Sequence, residues 1–269
     1  IETEFLHEDR KMRGAQQIGP VFKQRMGGIF RSSIVNVDKA LRTRVLTKVP
    51  PPTENWDSVF SLPYQLWEET ELLPFEELEI MSFDVWNSRF PPGKRKTNRK
   101  MFDSIEKTND FNKSFVECFV KREVQLTFGL EPYISQRPRL ISGIDKKTKV
   151  ITGPFAFSLS KYLAKVWDMN NYVTYAGGMN TDDLNKWINY NGKNWYFVYT
   201  DFSKFDLTQR LECYNFETYI YEKFGASDLK FWDVVKKMYA KTTGYYKGQI
   251  RYVVPFTKKS GSNFTSVGN

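Results

Sequence analysis

The chain has 269 residues, with 40 Lys+Arg against 31 Asp+Glu, a net charge of +9, one His and two Cys. That length can bury a substantial core, and 41% hydrophobic with 26% charged residues is globular composition, which excludes a disordered chain or a fibre. The single His7 and the two distant cysteines, Cys118 and Cys213, argue against His- or Cys-ligated metals, Ser-His-Asp or Cys-His catalysis and a disulfide framework. Catalysis here would rest on carboxylates, lysines, arginines or hydroxyls, in a reduced, intracellular setting. No apolar run reaches the roughly 18 residues of a membrane-spanning helix. The excess of positive charge points to a polyanionic partner. The sequence starts on Ile1 rather than Met, so a longer parent chain is expected, and no signal peptide is visible.

Along the chain, basic residues dominate from Arg10 to Lys48, Arg25, Arg31, Arg42 and Arg44 among them. From Pro50 to Asp84 there is no Lys or Arg, and the acids of this block read as a solvated surface. Pro50–Pro52 and Pro91-Pro92-Gly93 mark loops. The cluster Lys94, Arg95, Lys96, Arg99 and Lys100 then reads as a solvated loop, or as a phosphate-facing one in a nucleic-acid protein.

The pattern beyond predicts mixed α and β structure. Residues 115–120 alternate as a strand, and residues 139–143 form another, stopped at Gly143. Apolar residues at helical spacing predict a helix over 154–169. Trp195–Thr200 is the strongest strand signal and ends on Asp201. Helices are predicted over 207–224 and over 227–239, the latter capped by Ser227. A short strand follows at 250–254, then a Ser/Gly-rich turn entering a helix. No internal repeat is present.

Three segments carry chemistry. In Asp201-Phe202-Ser203-Lys204-Phe205-Asp206, a carboxylate at a strand's C-terminal tip lies where ligands bind in α/β folds. Such a group suits Mg²⁺, an oxygen-seeking ion; loop capping is the plain alternative. In Ser260–Asn269, Gly261 permits unusual backbone geometry, and four-residue steps place Thr265 and Asn269 on one helix face. That face suits a sugar hydroxyl or template base; an ordinary turn is the alternative. Lys121-Arg122-Glu123 and Gln136-Arg137-Pro138-Arg139-Leu140-Ile141 place cations on or near adjacent strands, where they suit phosphate or simply decorate a hairpin.

Together and in this order, the segments resemble the viral RNA-dependent RNA polymerases. Lys121-x-Glu123 and Arg139-x-Ile141 match the fingers motif F, Asp201-x4-Asp206 the palm motif A, and Ser260-Gly261-x3-Thr265-x3-Asn269 motif B. With Gly177-Gly178-Met179-Asn180 upstream, the style is most similar to positive-strand RNA viruses of the tombus-like and noda-like supergroup. The resemblance covers residues 115–269. It implies an α+β, right-hand polymerase fold, with fingers and the first part of an RRM-like palm, the palm incomplete and no thumb. Residues 1–110 would be an N-terminal extension and fingers, 111–193 fingers with motif F, and 194–269 palm with motifs A and B, including helices and a strand over 207–255.

The resemblance also implies roles. Asp201 would be catalytic and bind Mg²⁺ or Mn²⁺, activating a primer 3′-hydroxyl and stabilising pyrophosphate. Asp206, Ser260, Thr265 and Asn269 would bind nucleotide and ribose. Lys121, Arg139 and Arg137 would contact triphosphate, and Glu123 would order the fingers through an ion pair. Partners would be template and product RNA and NTPs, in a membrane-associated replication complex in the host cytoplasm, with a membrane tether outside this segment. The Gly-Asp-Asp of motif C occurs nowhere in the sequence. A truncated polymerase is therefore expected ahead of a divided one, in which a second chain supplies motif C, and the isolated chain should be inactive. The rivals are a reverse-transcriptase-like polymerase, which would place an aromatic residue near Asp206, and a non-catalytic RNA-binding subunit. The sequons at Asn112 and Asn263 are discounted on compartment.

Overall fold

The computed structural model describes residues 2–5, 15–22, 25–48, 55, 61, 64–65, 78–108, 111, 115–122, 125–128, 138–171, 173–191, 198, 205–265 and 267, the strand segments before Phe30 and at 125–128 through their backbone alone. In chain order the elements are β1 (Glu2–Phe5), β2 (Ala15–Phe22), β3 (Arg25–Phe30), α1 (Ile34–Arg44), α2 (Phe83–Ser88), α3 (Pro92–Thr108), β4 (Val116–Val120), β5 (Gln125–Phe128), β6 (Leu140–Ile144), α4 (Lys146–Val166), α5 (Thr181–Asn191), α6 (Phe205–Thr208), α7 (Leu211–Lys223), α8 (Trp232–Ala240), β7 (Lys241–Tyr246) and β8 (Ile250–Pro255). The α+β class holds.

The strands form a five-stranded sheet in the order β1-β8-β7-β4-β6 and a three-stranded sheet in the order β2-β3-β5. In the larger sheet only β4 and β7 run parallel. Among the described residues β6 forms one edge of it, paired with β4 from Val116↔Ile144 to Val120↔Leu140. The β4 side chains alternate, with Val116, Cys118 and Val120 buried and Glu117 and Phe119 exposed. One core cluster sets Cys118 and Val120 with Val37 and Leu41 of α1 and with Ile250, Tyr252 and Val254 of β8. A second joins Phe155, Leu159 and Leu163 of α4 to Tyr221, Phe224, Trp232, Val235 and Phe264.

Several expectations need correction. The basic cluster at 94–100 is not a loop but part of α3. Pro92 sits in the first turn, where a missing N–H costs nothing, and Lys94 and Arg95 donate their N–H groups to Pro91 O at 2.9 and 3.0 Å. β6 does not stop at Gly143, which pairs with Glu117 inside the ladder. α4 begins at Lys146 rather than Pro154, because the Asp145 carboxylate accepts from the Thr148 N–H at 3.0 Å and caps it. The helix expected over 207–224 is broken at Gln209–Arg210, where Arg210 is extended, giving α6 and α7. Ser227 caps nothing: it lies in a single 3₁₀ turn, Ala226–Asp228, and α8 starts after Phe231, whose φ is 64°. The strand expected at Trp195–Thr200 lies outside the described residues apart from Val198.

Gly177-Gly178-Met179-Asn180 has a structural role. The Asn180 side-chain oxygen accepts from the N–H groups of Asp182 (2.8 Å) and Asp183 (2.9 Å), and the Asp183 carboxylate accepts in return from the Asn180 N–H at 3.1 Å. This reciprocal cap starts α5.

α2 is held on α4 by close approach. A Cβ on Gly153 would lie 2.3 Å from the ring of Trp86, which is 3% exposed. Gly153→Ala should therefore displace the indole and destabilise the fold by about 1–3 kcal/mol. Urea unfolding checks this; an unchanged midpoint contradicts the packing.

Candidate active site

Edge strands expose unpaired N–H and C=O groups that must be covered. Here the cover is the segment after β8. Ser142 of β6 donates its N–H to the Ser260 hydroxyl at 3.1 Å, and the Gly261 N–H donates to Ser142 O at 3.0 Å. The fit is tight: a Cβ on Gly261 would lie 2.7 Å from Ser142 O and 2.9 Å from Gly143 Cα. The turn is also tied to α4, since the Asn263 amide donates to Lys149 O at 2.8 Å and to Thr152 Oγ1 at 2.9 Å. Phe264 is buried and stacks on Tyr221, with centroids 4.6 Å apart.

The same segment reaches Asp206 in α6. The Lys258 N–H donates to Asp206 O at 3.0 Å. Burial raises the Asp206 carboxyl above its ordinary range, and the nearby charges of Lys258 and Arg139 oppose that rise. Lys258 is itself buried and pairs with Glu217 of α7, whose carboxyl is raised by burial and drawn back by Lys258. Lys259 is 1% exposed. Its ammonium lies 3.4 Å from the carbonyls of Tyr239 and Thr257, and burial next to Lys258 lowers its pKa to about 7. Lys121 and Arg139 face each other just past the paired ends of β4 and β6, joined by Lys121 N–H to Arg139 O at 2.8 Å.

The family model for RNA dependent RNA polymerase, RdRP_2, matches residues 78–269. The chain belongs to this RNA-dependent RNA polymerase family. No curated protein matches the sequence.

In this polymerase chain the structure places four of the expected site residues around β6. Ser260 sits on the strand edge, Asp206 lies within electrostatic reach of Arg139, and Lys121 is bonded to Arg139 through the backbone. Asp201, Asn269, Arg137 and Glu123 lie outside the described residues. Residues 260–265 form turns rather than a helix, so no helix face is built there. Thr265 is turned inward: its hydroxyl donates to Lys259 O at 2.8 Å, with Ser262 O at 3.0 Å. Asn263, the sequon residue, is committed to α4. Sequence reasoning missed Lys258, Lys259, Glu217 and Asn263. The pair Lys258-Lys259 directly before Ser260-Gly261 was the one signal that pointed to them.

Gly261→Ala must push the turn off β6. A displacement of this kind is expected to lower nucleotide incorporation by the complete polymerase about 100-fold; primer extension at the wild-type rate would refute the close approach.

Lys259 gives a pH signature. Its folded pKa, about 7, is below the ordinary value of about 10.4. The unfolded chain thus binds more protons between those values, and stability rises with pH across that window, by up to about 1.4 kcal/mol per unit. Below about pH 7 the full penalty applies. Lys259→Met should abolish the rise, as followed by urea unfolding from neutral to alkaline pH; an unaltered slope contradicts the burial argument.

Proposed function

We propose that these residues supply the fingers and the first part of the palm of a right-hand polymerase that copies RNA for a positive-strand RNA virus of the tombus-like and noda-like supergroup. The observation that carries the reading is the seating of Ser260-Gly261 on β6 with Asp206 beside Arg139 and Lys258. It unites in space the segments whose order along the chain matches the polymerase motifs.

The reaction is attack of a primer 3′-hydroxyl on the α-phosphorus of an NTP, forming a phosphodiester and releasing pyrophosphate. Arg139 and Lys121 would receive the triphosphate, Arg139 through paired donors and Lys121 as a point charge. Asp206 would accept a hydrogen bond from the ribose 2′-hydroxyl, which a dNTP lacks. Burial raises its carboxyl, and Lys258 and Arg139 offset only part of that rise. Among the described residues no group of three or more His, Cys, Asp or Glu could hold a metal ion. Asp201, at the position of the motif A carboxylate, would hold Mg²⁺ or Mn²⁺. When bound, the metal lowers the pKa of the attacking hydroxyl and neutralises phosphate charge. Ser260 orients the turn through β6, the inward Thr265 hydroxyl holds that turn, and Asn269 would complete the ribose side. Replication on host-cell membranes fits this reading.

In the complete polymerase, Asp201→Ala should abolish incorporation while leaving RNA affinity within about twofold, since one carboxylate contributes little to phosphate binding. Primer extension and fluorescence anisotropy measure the two effects. Near wild-type extension by this variant would overturn the assignment.

A further inference from the structure

A second feature, between α2 and α4, combines a cleft with a concentration of cations. The cleft, about 120 Å³, lies between α2 and α4 and is lined by Trp86, Arg89, Phe157, Ser160 and Asn263. That is below the range for clefts that enclose a whole small ligand, so it would admit only part of a larger one. The Arg89 guanidinium carbon lies 3.6 Å from the Phe157 ring centroid and 4.8 Å from that of Phe90. Two more cations flank the same rings, Lys161 at 5.1 Å from Phe157 and Lys94 at 4.1 Å from Phe90. The walls are thus aromatic faces topped by positive charge.

Lys149 adds an independent observation. It is half-buried in the first turns of α4, and burial lowers its pKa, with the like charges of Lys94 and Lys146 lowering it further and Asp145 alone opposing. Positive charge from α2, α3 and α4 therefore converges faster than local acids offset it. Asp84, the acid nearest in sequence, is engaged with Arg99. α3 extends the cationic surface through the exposed Arg95, Lys96 and Lys100. The cleft is physically continuous with the turn on β6, because Asn263 both lines it and bonds to Lys149 O.

We propose that this cleft is a docking track for single-stranded RNA, one unstacked base lying against the Arg89–Phe157 pair and adjacent phosphates resting on Lys94, Lys149 and Lys161. The assignment rests on the polymerase reading above and extends it to the path of the template ahead of the active site. Single strands suit the cleft because every base offers a face for stacking on rings or guanidinium, while the cations follow the backbone without reading sequence. A duplex keeps its bases stacked and would use the cations alone. A mononucleotide would leave most of the cationic surface, spread over three helices, unused.

The test uses the complete polymerase and a short fluorescein-labelled oligouridylate. Lys94→Glu/Lys161→Glu, both at exposed positions, should weaken the Kd about tenfold and lower the slope of log K against log salt by about 0.7 for each phosphate no longer neutralised. Arg89→Lys keeps the charge and removes the planar face, so it should weaken binding with the slope unchanged. Lys247→Glu, at the exposed tip of the β7–β8 hairpin, should bind as wild type. Wild-type affinity in the double variant, an equal loss in Lys247→Glu, or an equal loss for duplex RNA would each overturn the proposal. If the complete polymerase incorporates no nucleotide, the polymerase reading falls, while weakened oligouridylate binding in the variants still upholds the cleft. An active polymerase whose variants bind RNA normally overturns the cleft alone.

Discussion

Two hydrogen bonds at Ser142 organise this molecule. An edge strand leaves half of its backbone groups without partners, and at β6 those of Ser142 are met by Ser260 and Gly261. Because the backbones themselves meet there, no Cβ fits at position 261. The seam joins the strand carrying Arg139 to the turn that follows the far hairpin of the same sheet. From it Lys258 reaches Asp206, Asn263 reaches α4, and Phe264 drops into the aromatic core between Tyr221, Trp232 and Phe155.

The seam is fixed at an electrostatic cost. Two consecutive lysines are buried beneath it, one paired with Glu217 and the other held by carbonyls and by the face of Tyr239, 4.5 Å away. A buried pair adds little net stability but is costly to break from one side, about 3–5 kcal/mol. α7 and the turn are thereby locked in register. The consequence for function is a carboxylate, Asp206, held in a half-buried position with two cations in range.

How much of this was legible follows from particular residues. β4 and β6 were readable because alternation and β-branched residues describe a half-buried strand directly. The segments holding Asp206 and Ser260-Gly261 were singled out by their resemblance to polymerase motifs, and the family match over residues 78–269 agrees with that resemblance. α3 was not, because a proline pair and five cations look like a loop until Pro92 is seen to occupy a first turn, where its missing N–H is harmless. The break at Gln209–Arg210 was hidden because apolar residues continue at helical spacing on both sides of it. Lys258 and Lys259 were hidden for the opposite reason. Lysines read as surface residues, and the acid that permits burial of Lys258 sits on another helix, α7. The inward turn of Thr265 depends on Lys259 O, a backbone acceptor that side-chain patterns do not reveal.

The central claim is that the turn after β8 covers the free edge of β6 through Ser142. Amide hydrogen exchange at Ser142 in the complete polymerase tests it most directly, comparing wild type with Ser260→Ala. Slow exchange is expected in wild type, with a rise in the variant confined to the outward-facing amide of Ser142 and the amides of β4 that pair with β6 still protected. Exchange at Ser142 already as fast in wild type as at an uncovered edge strand would contradict it.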